Sequence, residues 1–302
     1  MFWRSPKRVR RRVILHYHIF KNAGTTLTSI LQQNFRAAFA SFDRDGHNSV
    51  ISNDELLQYL QAHPEVIAIS SHHLRLPKPV DERFQFYDIV LVRHPIARLW
   101  STYTFYRRMD TGQDPLAAAA KARNAHDFFQ LLINQYPEHA CNAQVNLIAN
   151  GGDRIPTAAD LPRATEIIRQ ASALGVAERF EESAVLAEHC LHLVFDRLDF
   201  SYVSQNVTDG RPKTLEEQLA QFEQKCGTDM LNELQVRNQL DIALFSAANE
   251  ELGRRFNQVP DHANRLQNLR ARCSTREREV ANTIVSSNHP NRFAAYATLA
   301  SQ

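Results

Sequence analysis

Lys21-Asn22-Ala23-Gly24-Thr25-Thr26 is the first stretch of this sequence whose residue types and order suit chemistry. A lysine, a glycine and two hydroxyls just ahead of an apolar-periodic segment are the parts of an anion site. Their order separates two kinds of site. A magnesium-dependent nucleotide loop places lysine after its last glycine, followed by Ser or Thr. Here the lysine precedes the glycine. So placed, Lys21 can lie along a group in transfer and its bridging oxygen, while the N–H groups and hydroxyls of Gly24, Thr25 and Thr26 hold the terminal anion. Asn22 and Ala23 complete the loop. A second set is Ser71-His72-His73, where a neutral imidazole is suited to accept a proton near physiological pH. Adjacent side chains leave a loop in different directions, so His72 and His73 both stand as candidates. The third set is Arg93, with Pro95, Arg98 and Ser101 after it. Arginine offers phosphate a fixed fork of donors and serine adds a hydroxyl, whereas Arg98, borne on a helix, equally suits a structural carboxylate.

Each set follows an apolar run. Arg12–Ile19 is rich in β-branched and aromatic residues and reads as a buried strand. After its loop, Thr25–Gln33 places Leu27, Ile30 and Leu31 on one helical face. Ser52–Leu60 reads as a capped helix ending near Pro64, and Val66–Ser70 as a second strand leading into the histidines. Asp88–Arg93 is a third strand, with Pro95 at the first turn of the following helix. Ala173–Ala177 reads as a fourth strand, although a run this short does not separate strand from helix. Thr214–Phe256 reads as helices broken at Gly227. In open parallel sheets ligands sit beyond the carboxyl ends of strands, so Lys21, His72 and Arg93 are expected to share one crevice.

The chain has 302 residues, 43% of them hydrophobic, which suffices for one large α/β domain with helical additions. A basic tail is expected over 1–12, the main domain over 13–260, and a polar, partly helical extension over 261–302. The formal net charge of +2 gives no global attraction for polyanions. Arg4, Lys7, Arg8, Arg10, Arg11 and Arg12 form a local basic run that suits a membrane surface or an anionic polymer, and equally a solvated terminus. Val13–Phe20 is too short and too polar for a signal core or an anchor, and no apolar run reaches membrane-spanning length. Cys141, Cys190, Cys226 and Cys273 are scattered, with no zinc-type spacing and no sign of a disulfide framework. These features predict a cytoplasmic protein. Repeats and a heptad seam are absent from the pattern, and the oligomeric state is not legible.

His18–Leu27 resembles the 5′-phosphosulfate loop of the carbohydrate sulfotransferases, with the heparan sulfate 2-O- and 6-O-sulfotransferases as the nearest group. Phe20 stands where that pattern commonly has proline. Val90–Tyr103 is similar to the same family's 3′-phosphate motif, onto which Arg93 and Ser101 map. Weaker similarity runs through Asn142-Ala143-Gln144, Gly175–Glu178 and Asn238–Phe245, segments read as core and scaffold. The resemblance implies a P-loop-like three-layer fold with a central, mainly parallel sheet flanked by helices. It further implies sulfuryl transfer from 3′-phosphoadenosine 5′-phosphosulfate (PAPS) to a hydroxyl of a carbohydrate or glycoconjugate, without a metal. In the related enzymes a histidine after the corresponding strand is the base, which aligns with His72 and leaves His73 as the alternative. Asn206-Val207-Thr208 falls where the family often closes over nucleotide or acceptor, and Arg75 and Lys78 are placed to meet an acidic sugar or to be solvated. Two other readings remain: a catalytically inactive nucleotide- or glycan-binding protein of the same fold, and a P-loop phosphoryl transferase, which lacks its Lys-Ser/Thr pair and its strand-end aspartate. No nucleic-acid motif is present.

Overall fold

Val13, Ile14 and Leu15 are wholly buried, and the strand they form is the middle of the sheet. In the computed structural model, which describes residues 9–46, 49–110, 114–203 and 214–287, β1 is Arg11–Tyr17, β2 Phe39–Ser41, β3 Ala68–Ser71, β4 Phe84–Val92 and β5 Ala173–Val176. Every pairing among them is parallel, and the order is β2-β3-β1-β4-β5. The expected α/β sheet is therefore present. The register aligns Tyr17 with Ser71 on one side and with Val90 on the other, so the chain leaves three neighbouring strands at one edge of the sheet.

Helices α1 (Gly24–Phe35), α2 (Asn53–Ala62) and α3 (Pro95–Arg108) follow β1, β2 and β4. Then come α4 (Pro115–Ala122), α5 (Ala125–Gln135), α6 (Pro137–Ala140), α7 (Ala143–Asn150) and α8 (Asp160–Gln170) before β5. After it lie α9 (Phe180–His192), α10 (Leu215–Cys226), α11 (Thr228–Arg237), α12 (Gln239–Phe256) and α13 (His262–Ser287). The start of α2 is set by a reciprocal capping box between Ser52 and Glu55. Its last carbonyls are met by the Arg11 guanidinium, through Leu60 O (2.5 Å) and His63 O (2.7 Å). Arg11 and Arg12 thus open the sheet rather than close the basic tail.

Two cores hold the molecule together. The larger lies about the sheet, and the smaller joins α3, α4, α5, α10 and α11 around Phe128, Phe129, Leu132 and Phe222. A fully buried side chain of this size contributes about 1.5–3 kcal/mol, so the second core makes a helical lobe stable beside the strand ends. α13 is pinned to the body by Arg272 on Glu188 (2.9 Å) and by Arg276 on Asp199 (2.7 Å) and Gln33 (2.8 Å).

Three expectations shift. β2 was not foreseen, because three residues carry no readable alternation. β4 starts four residues before Asp88, since Phe84 and Phe86 are buried while Gln85 is exposed. The helices after 214 break at Asn238 as well as at Gly227, where Asn238 Nδ2 bonds Ala140 O at 2.7 Å.

Candidate active site at the carboxyl ends of the strands

Between β1 and α1 the chain makes a tight loop in which Lys21 (φ 66°) and Ala23 (φ 61°) are left-handed. Each such residue costs about 1–2 kcal/mol, so the loop must be held from outside. Asn22, wholly buried between them, is the holding point. Its Nδ2 donates to Leu91 O and to Gln144 Oε1, both at 2.8 Å. Gly24 opens α1 for a steric reason: a Cβ there would stand 2.0 Å from His18 Cδ2. The first turn of α1 holds no acidic residue, and Ala23 supplies no side-chain cap. Its N–H groups are thus oriented as an anion site requires. Thr25 is exposed and Thr26 half-buried in that turn. Lys21 is half-buried, with Nζ 4.4 Å from the Phe105 ring centre and 5.6 Å from that of Phe20.

Arg93 reaches the same loop from the end of β4. Nη1 donates to Lys21 O at 2.7 Å, and Nε lies 3.7 Å from Glu178 Oε1, which also accepts the His94 N–H at 3.2 Å. Ser101 is half-buried on the second turn of α3. Arg98 is buried and donates to His139 O at 2.7 Å. Burial lowers its pKa while Asp241 pulls the other way. It supports α3 from within.

The two adjacent histidines have different surroundings. His72 is exposed, and its ring stacks on His18 at 3.8 Å between centres, with Phe20 edge-on at 6.4 Å. Its backbone N–H donates to Asp43 Oδ1 at 2.7 Å, beside Ser71 Oγ, which donates to the same oxygen at 3.0 Å. His73 is buried, and its Nδ1 accepts the Arg44 N–H at 3.0 Å and lies 3.4 Å from Asp43 Oδ1. When neutral, that ring carries its proton on Nε2.

Behind them, His16 stacks on His18 at 5.1 Å, and its Nδ1 shares a hydrogen bond with Ser70 Oγ at 2.9 Å. Burial, and then His72, hold the His16 pKa down to about 3. Burial, His16, His72 and Lys21 keep His18 well below the usual imidazole range. His72 is lowered too, first by desolvation of its ring against its neighbours, although Asp43 opposes the shift. The three rings favour their neutral forms.

Lys21, His72 and Arg93 therefore leave adjacent strands, and Arg93 contacts the Lys21 backbone directly. Arg75 and Lys78 are both engaged within the chain. Arg75 donates to Gly151 O (2.6 Å), His72 O (2.8 Å) and Ser49 O (3.1 Å), and Lys78 pairs with Asp88 at 2.5 Å. Asn206-Val207-Thr208 lies outside the described residues. Gln144, read as scaffold, proves to join the loop to Arg93 through Asn22 Nδ2 (2.8 Å), the Arg93 N–H (2.9 Å) and the Arg93 carbonyl (2.8 Å). The signal was a polar residue inside a helix whose neighbours Ala143, Val145 and Ile148 are all buried. Among the described residues no helix is long and apolar enough to cross a membrane, and the four cysteines are free thiols.

Comparison with known proteins gives the family. Residues 7–247 match the model of the sulfotransferase family. An "Uncharacterized protein" of Archaeoglobus fulgidus is 25% identical over 242 residues, which cover 78% of this chain and 96% of that protein. With the parallel sheet and the family match falling on the same stretch, the chain belongs to sulfotransferase family 2, whose members are PAPS-dependent enzymes.

Proposed function

We propose that this protein transfers the sulfuryl group of PAPS to a hydroxyl of a carbohydrate or glycoconjugate, with His72 as general base. The observation that carries the reading is the exposed His72 imidazole stacked on His18, beside the loop that Arg93 contacts. His72 takes the acceptor's hydroxyl proton as its oxygen attacks sulfur in line. The bond from sulfur to the bridging oxygen breaks, and adenosine 3′,5′-bisphosphate leaves.

Lys21 steadies the charge that grows on the bridging oxygen, while the N–H groups and hydroxyls of Gly24, Thr25 and Thr26 hold the 5′ end. Arg93 and Ser101 take the 3′-phosphate. Stabilisation by such fixed donors asks for no metal. The burial of His73 and the bond its Nδ1 accepts support His72 over its neighbour. Four free thiols favour a cytoplasmic setting.

Calorimetric titration with adenosine 3′,5′-bisphosphate, adenosine 5′-monophosphate and ATP with magnesium tests the donor site. Tight, metal-independent binding that requires the 3′-phosphate and weakens in Arg93→Ala is the expected result. Preference for ATP with magnesium contradicts the reading.

A further inference from the structure

The side-chain amide of Gln144 is wholly buried, and its hydrogen-bonding capacity is filled. Oε1 accepts from Asn22 Nδ2 (2.8 Å) and from the Arg93 backbone N–H (2.9 Å). Nε2 donates to the Arg93 carbonyl (2.8 Å) and to Asp241 Oδ2 (3.3 Å). A carboxamide has two lone pairs and two N–H protons, so this orientation is the only one that pairs every partner. Turning the amide over would set its oxygen against a carbonyl and a carboxylate. An apolar residue of the same size would fill the space but leave buried groups of Asn22 and Arg93 unpaired.

The network is anchored on both sides. Asp241 accepts the backbone N–H of Gln144 (3.0 Å) and of Val145 (2.8 Å), which fixes the start of α7. Asn22 is held a second time, by Leu91 O at 2.8 Å, and sits between the two left-handed residues of the loop. One side chain thus ties the loop that bears Lys21 to the strand end that bears Arg93.

We propose that Gln144 is a positioning residue that sets the spacing between the groups reading the 5′ end of the nucleotide and the arginine reading its 3′-phosphate. The proposal rests on the donor assignment above. It predicts that Gln144 governs selectivity for a doubly phosphorylated nucleotide more than affinity for a singly phosphorylated one, because a monophosphate needs the loop alone.

The test is calorimetric titration of wild type, Gln144→Met, Asn22→Ala and the double variant with adenosine 3′,5′-bisphosphate and adenosine 5′-monophosphate, with circular dichroism and melting as fold controls. Methionine keeps the volume and removes the polar contacts. The bisphosphate should bind about tenfold more weakly to Gln144→Met, and the monophosphate no more than about threefold more weakly. Adding Asn22→Ala should weaken both nucleotides further, since it also removes the bond to Leu91 O that holds the loop itself. Should Gln144→Met fail to fold, Gln144→Asn, whose amide is one methylene too short to span the same partners, carries the same contrast. A wild type that prefers the bisphosphate, with folded Gln144 variants that keep that preference or lose both ligands equally, overturns the proposal alone. A wild type that binds neither nucleotide overturns the donor assignment and the proposal with it.

Discussion

Around Asn22 and Arg93 the side chains are buried and hydrogen-bonded into one network, whereas around Lys21 and His72 they meet mainly through rings and remain partly open. The first region is locked by directional bonds from α7 and α12, elements distant in sequence. The second is bordered by Phe20 and Phe105, and Phe105 keeps 37% of its surface exposed. On the proposed reading the contrast follows from the ligands. A nucleotide of one fixed shape is read by a rigid frame, and a hydroxyl that must enter and leave meets groups held by stacking.

The sharpest test of that contrast separates the two adjacent histidines. His72→Ala should lower turnover by about 10²–10⁴-fold, the range of a general base, and leave the melting temperature nearly unchanged. His73→Ala should do the reverse, because it removes a buried ring that accepts the Arg44 N–H. Steady-state kinetics beside thermal melts of both variants would show it, and equal loss of turnover in two well-folded variants would break the assignment.

Lys21→Ala comes next. Turnover should fall by about 10²–10³-fold, as when one donor to a developing negative charge is removed, with a much smaller change in bisphosphate affinity. Single-turnover rates with radiolabelled donor check it.

Gly24→Ala tests whether the open side depends on the packing beneath it. The new methyl would meet the His18 ring, and displacing that ring disturbs the stack that holds His72. Turnover and melting temperature should both drop. His18→Ala should recover much of the melting loss in the double variant, since the clash partner is then gone. Additive losses would show that the glycine is needed for its backbone alone.

The smallest effect is on stability. His16 and His94 have folded pKa values held down to about 3 and about 4, burial being the first cause in each. The unfolded chain takes up these protons near pH 6.5 and the folded chain only well below it, so protonation favours unfolding. Stability is fully present above about pH 6.5 and is lost as pH falls toward the folded values, by up to about 1.4 kcal/mol per pH unit for each histidine. Urea midpoints at pH 7.5 and pH 5 should show the decline, and His16→Asn should flatten it.

What the sequence made legible follows the same division. β1, β3 and the buried half of β4 are short apolar runs, and the start of α2 has a capping box, so local pattern alone found them, whereas β5 is a run too short to separate strand from helix. The place of Lys21 and Arg93 beyond strand ends was readable because each sits just past such a run. β2 is too short to announce itself. The break at Asn238 has neither glycine nor proline, and depends on a bond to Ala140 O. Gln144 could not be read as a joint, because its partners Asn22, Arg93 and Asp241 come from three remote segments. The different surroundings of His72 and His73 are likewise set by Asp43 and Arg44, in a stretch that local pattern assigned to no element. Arg75 and Lys78 were open to an acidic sugar or to solvent on the sequence, and only the folded chain supplies the acceptors that engage them.

The most direct test of the account is transfer of radiolabelled sulfuryl from PAPS to a panel of desulfated glycans, run with wild type, His72→Ala and His73→Ala at matched folded concentration. The account predicts label in a glycan product with wild type and His73→Ala, and a loss of at least about 10²-fold with His72→Ala. Transfer that survives removal of His72 would contradict it.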